Sequence, residues 1–169
     1  MIILIGGEKG GTGKTTLATN LAGKRACEGI DVLIVDTDPQ GSANTWTELR
    51  DEEGITPRIP VIQKFGKGLG SELKDLAKRY QDIIVDAGGR DSFEMRSALT
   101  VCQAVYTPLQ ASQFDVWTMS QMNQLVIDAQ ALNENLRAFA VINRASTNPM
   151  VGEADEAKQL LSELDALEL

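Results

Sequence analysis

Three short stretches of this chain carry residues that could act on a phosphate ester. The first is Glu8-Lys9-Gly10-Gly11-Thr12-Gly13-Lys14-Thr15-Thr16. Glycines 10, 11 and 13 allow a tight turn whose backbone N–H groups close on an anion, with Thr12 between them. Lys14 offers a point charge to the β- and γ-phosphates of a nucleotide, and the Thr15 hydroxyl is placed to ligate Mg²⁺. Thr16 can donate to the α-phosphate. The second stretch is Asp36-Thr37-Asp38-Pro39-Gln40. Two carboxylates at i and i+2 suit a site that must orient Mg²⁺-bound water and position an attacking water. The third is Asp86-Ala87-Gly88-Gly89. There Asp86 would accept from a water of the Mg²⁺ shell, and the two glycines let the backbone approach a γ-phosphate.

These stretches need elements that bring them together. Met1 to Ile5 is an apolar run, and Thr15 to Glu28 has Leu17, Leu21 and several alanines at helical spacing, with Gly29 as its C-cap. Strand, glycine-rich loop and helix in that order are what a phosphate loop requires, since the helix aims its positive end at the anion. Asp31 to Asp36 and Asp82 to Asp86 are nearly continuous apolar runs, which predict strands buried on both faces of a parallel sheet. Ligands of such sheets bind at the carboxyl ends of the strands, so the acids ending these runs point toward the phosphates. Other predicted helices span Asn44 to Arg50, Ser71 to Tyr80 after a loop with Gly66, Gly68 and Gly70, Asp91 to about Cys102, Ser112 to about Asn133, and Glu153 to Leu167. Two of these open on capping-box patterns, Asp91-Ser92-Phe93-Glu94 and Ser112-Gln113-Phe114-Asp115. Ala104 to Pro108 and Arg137 to Asn143 read as strands, and Pro60 confines Ile59 to Ile62 to a sheet edge or a strand start. The expectation is one α/β domain over residues 1–169, a mainly parallel sheet with helices on both faces.

Composition narrows the function classes. At 169 residues and 43% hydrophobic content the chain has material for one well-cored domain. No run approaches the ~18 apolar residues of a membrane span, and Met1 to Ile5 is too short for a signal peptide. Cys27 and Cys102, far apart and without metal-like spacing, read as two reduced, buried thiols of a cytoplasmic protein. The absence of histidine excludes a His-based triad and speaks against a zinc site. The net charge of −8 is uneven: 13 Lys and Arg face 15 Asp and Glu in residues 1–100, but 3 face 9 in residues 101–169. No basic stripe announces a nucleic-acid partner.

The string K-G-G-x-G-K-T-T, with Glu8 where the standard pattern has glycine, resembles the deviant Walker-A loop of the ParA/MinD superfamily of ATPases. D-x-D-P-Q resembles that family's switch I, Asp82 to Gly89 its Walker-B strand and loop, and Asn143-Arg144 the pair that meets adenine. In order and spacing the match runs from Met1 to Arg144 and is most like a ParA-type plasmid or chromosome partition ATPase. The resemblance implies ATP and Mg²⁺ as cofactors and Lys9, Lys14 and Asp38 as catalytic residues. Lys9 would reach the partner's nucleotide in an ATP-state homodimer and Asp38 would orient the hydrolytic water. Asp36 would belong to the Mg²⁺ environment with Thr15 and Asp86. Asn143 would read the base and Arg144 pack near it. A ParB-like protein would stimulate hydrolysis, and non-specific DNA on the nucleoid would be a partner, against which the acidic last third stands. No arginine finger can be assigned, so intrinsic turnover is expected to be slow. Family members usually continue with a further strand and helices, so the chain reads as short.

Several alternatives stay open on the residues. Asp38 could simply cap the next helix, and Trp46 could be core or a partner contact. The stripe of Trp117, Met119, Met122, Leu125, Val126 and Ala129 could be core or part of a dimer interface. Arg90 and Arg96 could be solvated, or could touch DNA or a partner. A metabolic ligase of the dethiobiotin- or cobyrinate-synthase kind would use the same loop, but no lining for its substrate is evident. A MinD-like membrane positioner is disfavoured by the acidic final helix, and a nitrogenase-reductase-like carrier by the lack of a mate for Cys102. A nucleotide-binding module that does not hydrolyse is compatible with the same residues.

Overall fold

Strands made of uninterrupted apolar residues need cover on both faces, and the fold supplies it. The computed structural model describes residues 1–89, 91–111, 113–147 and 152–169, with residues 113–117 described by their backbone alone. The elements are β1 (Ile2–Ile5), α1 (Lys14–Cys27), β2 (Val32–Asp36), α2 (Ser42–Glu52), β3 (Val61–Gln63), α3 (Leu69–Leu76), β4 (Asp82–Asp86), α4 (Phe93–Leu99), β5 (Ala104–Gln110), α5 (Gln113–Gln130), β6 (Arg137–Asn143) and α6 (Glu153–Leu161). The strands form one sheet in the order β3-β2-β4-β1-β5-β6, and every pairing is parallel. Every residue of β1, β2 and β4 is buried.

Successive strand residues face opposite sides, so each run divides between two cores. Ile3, Ile5, Val32, Ile34 and Ile84 pack with Ala18 and Ala22 of α1 and Ala43 of α2. Ile2, Leu4, Leu33, Val35, Ile83 and Val85 pack with α3, α4, α5 and α6 through Leu73, Met95, Met122 and Leu161 among others. The strand ends are flush. Asp36 and Ile5 both pair with Asp86, so the two acids and the start of the phosphate loop lie in one row. Because they share a register, Asp36 and Asp86 face the same side as Ile5, the side of α1 and α2.

Several expectations hold in detail. Gly29 follows α1 with φ 82, and the Ile30 amide donates to the Arg25 carbonyl, the αL ending expected there. β3 lies at the sheet edge, as Pro60 required. The α5 stripe is core, with Met119, Met122 and Val126 all 2% exposed or less. Trp46 packs against the α1–α2 core.

Other boundaries differ. The cap of α4 is Ser92, which accepts from the Met95 amide, while Asp91 pairs with Arg96. α3 starts two residues before Ser71 and ends at Leu76. α6 stops at Leu161, and Leu164 and Leu167 reach the core from the turn beyond. There Glu168 bonds along β6, its amide to the Ala138 carbonyl and its carbonyl to the Ala140 amide. Cys27 is exposed rather than buried, whereas Cys102 is buried and its thiol pKa is pushed up to about 12 by desolvation. The Ser112 capping pattern, Trp117 and Arg90 lie outside the described residues or side chains. Among the described residues, no helix is long and apolar enough to cross a membrane.

Leu4 sits in the sheet's interior with no exposed surface. Its replacement by Ala is expected to cost about 3 kcal/mol, measured as a lowered urea midpoint with an unchanged slope.

Candidate functional site

The loop between β1 and α1 is held from both sides by other strands' exits. Gly13, just before α1, has φ 99, a conformation open to glycine, and a Cβ there would lie 2.4 Å from Asn143 Nδ2. That amide nitrogen donates to the Thr12 carbonyl at 2.8 Å, and Asn143 Oδ1 accepts from the Arg144 amide at 3.0 Å. The end of β6 is thus tied to the phosphate loop. One N–H and one lone pair of the Asn143 side chain are still open, enough for the edge of a base. Arg144 is exposed and has φ 56, uncommon for a residue with a Cβ. Beside Asn143 a cleft of about 230 Å³ runs between Thr16, Leu17, Pro108 and Val141, with apolar walls suited to a flat heterocycle. On the loop's other side, a Cβ on Gly89 would come within 2.8 Å of Gly10 Cα, so the exit of β4 packs backbone to backbone on the loop.

Lys14 is 7% exposed, and its Nζ donates to the Lys9 carbonyl at 2.6 Å. Burial lowers the ammonium pKa, and the nearby Asp86 and Asp38 carboxylates oppose that shift. Lys9 itself is half-buried, and Gly10 and Gly11 are exposed.

The two acids in the shared row are in opposite situations. Asp86 is 1% exposed and neither of its oxygens has a hydrogen-bond partner. Desolvation raises its pKa from 3.8 to about 7; the Thr15 hydroxyl and the Lys14 ammonium pull it down without completing a regular bond to it. A buried, unpartnered carboxylate beside a hydroxyl fits a hard divalent cation held directly or through water. Among the described residues no three Asp, Glu, Cys or His side chains converge. Asp36 is fully buried, and its carboxylate accepts from the amides of Asp38 at 2.9 Å, Ala43 at 3.2 Å and Asn44 at 3.3 Å. Its pKa is raised by burial, against the pull of those amides.

Asp38 accepts from the Gln40 amide at 2.9 Å. α2 has no side-chain bond from its N-cap, Gly41, and its first free amides go to Asp36, so Asp38 does not cap that helix. Asp38 instead lies against Gly88, where a Cβ would sit 3.6 Å from the Asp38 Cγ. It faces a cleft of about 550 Å³ lined also by Gly10, Thr37, Gln40, Phe65, Gly89, Ser92 and Glu94. The sequence offered no lining for such a space, because Phe65 comes from the loop after β3 and Glu94 from the first turn of α4. They are joined by the Gly66 amide, which donates to Glu94 at 2.8 Å. The cleft carries two carboxylates and, among the described residues, no lysine or arginine. Arg96 lies elsewhere, paired with Asp91.

Comparison with known proteins places this site in context. A family model described as the CobQ/CobB/MinD/ParA nucleotide binding domain matches residues 3–165. The chain is 49% identical over 167 residues to the chromosome-partitioning ATPase Soj of Thermus thermophilus, covering 83% of this chain and 67% of that one. It is 28% identical over 137 residues to the maintenance of carboxysome distribution protein A of Halothiobacillus neapolitanus, covering 80% of this chain and 62% of that protein. The chain thus spans about two-thirds of the length of these relatives. In fold it is similar to cobyrinic acid a,c-diamide synthase of Mycobacterium smegmatis, solved with ADP and magnesium, with TM-score 0.81, 16% identity, and 99% and 83% of the two chains covered.

The raised pKa of Asp86 sets a pH dependence. The native state holds this proton up to about pH 7 and the unfolded chain releases it near 3.8, so this carboxyl's contribution to stability falls as pH rises through that window. Asp86→Asn removes that contribution. Without nucleotide or Mg²⁺, the variant is expected to gain on the order of 2 kcal/mol over the parent at pH 8 and little at pH 4. Urea unfolding at both pH values measures it, and an equal difference at the two would contradict the assignment.

Proposed function

The chain belongs to the CobQ/CobB/MinD/ParA nucleotide binding domain family, and from that premise we propose that it is a ParA-type ATPase working as a dimerising switch. The observation that carries the reading is the buried Asp86 carboxylate, open on both oxygens, beside Thr15 and Lys14 at the start of α1. In this reading the amides of residues 10–16 and the Lys14 ammonium hold the ATP phosphates. Thr15 and Asp86 hold Mg²⁺, Asp86 through water. Asp36 stands one strand beyond Asp86, on β2. When bound there, the metal would neutralise the phosphate charge that develops in hydrolysis. Asp38, at the edge of the large cleft, orients the water that attacks the γ-phosphate. The base lies in the cleft between Leu17 and Val141, with Asn143 at its edge and Arg144 against it.

Lys9 is the reason for reading a switch rather than a simple hydrolase. Gly10, next to this second loop lysine, lines the face with the cleft containing Asp38 and Glu94. Two copies meeting through that face would set each lysine against the other's phosphates and acids, a self-complementary contact of the kind two-fold symmetry demands. With no arginine assigned to the phosphates, turnover is slow and a ParB-like partner accelerates it. The cargo is a plasmid or chromosome, with non-specific DNA as the track. Lys67 and Lys74 are exposed along α3 and before it, and Lys78 beyond it pairs with Asp75; the first two are the cations proposed for that contact.

A ligase that activates a carboxylate must hold an anion next to the γ-phosphate. The cleft in that position is acidic, which favours the switch over that alternative. The acidic first turn of α6, Glu153, Asp155 and Glu156, likewise suits no anionic membrane.

Light scattering of the protein with Mg-ATP is expected to give twice the monomer mass, and with Mg-ADP the monomer mass. Lys9→Ala is expected to stay monomeric with ATP while keeping its affinity for the nucleotide within about threefold. A mass indifferent to nucleotide would overturn the switch. Hydrolysis by the protein alone is expected well below one turnover per second, read from released phosphate; many turnovers per second would contradict partner control.

A further inference from the structure

We propose that Asp36 is the positioning residue of the hydrolytic site: it fixes Asp38 and the start of α2 through three backbone amides and does not bind the metal. This rests on the reading that the chain hydrolyses ATP through Asp38. The resemblance groups Asp36 with Thr15 and Asp86 around Mg²⁺, but the geometry separates it from them.

Asp36 and Asp86 are neighbours in one row of the sheet and both are buried. Asp86 completes no regular bond at either oxygen, whereas both oxygens of Asp36 accept from backbone amides. A carboxylate offers about four acceptor positions, and Asp36 uses three of them on backbone N–H groups. The Asp38 amide takes Oδ1 at 2.9 Å, and the Ala43 and Asn44 amides share Oδ2 at 3.2 and 3.3 Å. The two amides on Oδ2 belong to the first turn of α2, where no intrahelical acceptor exists and where the N-cap Gly41 has no side chain to serve them. A carboxylate at a helix N-terminus is also favoured by the helix dipole. Oδ1 is therefore engaged by the Asp38 turn and Oδ2 by the first turn of α2, and β4 stands between β2 and β1.

What these bonds hold is the segment that carries Asp38. Thr37 is clipped to the exit of β4, its amide and hydroxyl donating to the Asp86 carbonyl at 2.9 and 3.1 Å. Asp38 is then held at its amide by Asp36, while its own carbonyl accepts from Gly41 at 2.9 Å and its Oδ1 from Gln40 at 2.9 Å. With both ends of the turn bound to Asp36, the Asp38 side chain has one place to lie, against Gly88 at the mouth of the cleft. A carboxylate that must aim a water at phosphorus loses rate steeply when displaced, roughly 100-fold for a shift of about 1 Å. Asp36 acts on the reaction through that placement.

The test compares Asp36→Asn with Asp86→Asn by three readouts: kcat and KM for ATP, the Mg²⁺ concentration that half-saturates binding of a fluorescent ATP analogue, and amide hydrogen exchange over residues 38–44 without nucleotide. For Asp36→Asn we expect kcat to fall about 10- to 100-fold, KM and Mg²⁺ half-saturation to stay within about twofold, and exchange over residues 38–44 to accelerate. For Asp86→Asn we expect Mg²⁺ half-saturation to rise about tenfold or more with that exchange unchanged. A rise in Mg²⁺ requirement for Asp36→Asn equal to that of Asp86→Asn would overturn the proposal, and so would an unchanged kcat. Should Asp36→Asn fail to fold, Asn44→Pro removes one donor to Asp36 at a first-turn position that tolerates proline. It is expected to lower kcat a few-fold at constant Mg²⁺ requirement, and constancy of both would count against the proposal. Absence of hydrolysis in the unmodified protein overturns the ATPase reading itself, a result read before any variant is made.

Discussion

The structure turns on one unfavourable arrangement, a carboxylate buried at the centre of a parallel sheet with nothing to bond to. Asp86 closes β4 after the apolar Ile83, Ile84 and Val85, between β2 and β1, and neither of its buried oxygens completes a regular hydrogen bond. Such a group is either protonated or matched by a cation. Its surroundings are built for the second outcome. Lys14 and Thr15 begin the helix over it, and the loop in front of it is the N–H-lined turn that an anion and its counter-ion would fill. The sheet's flush register is what makes this possible, since a strand longer by one residue would send the acid to the opposite core.

The same economy explains the loop's glycines. A phosphate loop is a length of backbone without regular bonds, and here its shape is imposed by neighbours. The Asn143 amide grips the Thr12 carbonyl from β6, and Gly89 presses on Gly10 from β4. A Cβ at Gly13 or Gly89 would push those neighbours off. The loop can therefore hold its curvature before any nucleotide arrives, which reduces the ordering that binding must impose.

How much of this was legible in the sequence depends on the range over which each feature acts. The strands were readable because parallel burial leaves a local mark, an unbroken apolar run such as Ile83-Ile84-Val85 ending in an acid. The phosphate loop was readable for the same reason, being a contiguous string. Helix limits were less so. Asp91 and Ser92 are both good caps, and Arg96 decided between them by drawing Asp91 away. Leu164 and Leu167 keep helical spacing, yet the chain turns after Leu161 so that Glu168 can bond along β6. The contacts that shape the site were not legible at all. Asn143 meets Thr12 across 131 residues, and nothing in D-x-D-P-Q says that its first acid accepts from the amides of the following helix.

That last point bears on how one fold serves both ligases and switches. The phosphate loop, the β4 acid and the sheet order are compatible with either use, and a fold likeness at 16% identity to a synthase does not separate them. What differs is the wall facing the γ-phosphate. An acceptor enzyme needs a cation there to bring its carboxylate substrate against phosphorus. In this chain that wall is Asp38, Glu94 and the exposed ring of Phe65, which repels a carboxylate and suits a positively charged group arriving from outside. In the proposed mechanism a water is the nucleophile such a wall would admit, and Asp38, held at its amide by Asp36, would aim it. In the proposed dimer, Lys9 of a second copy would supply the positive charge that this wall lacks.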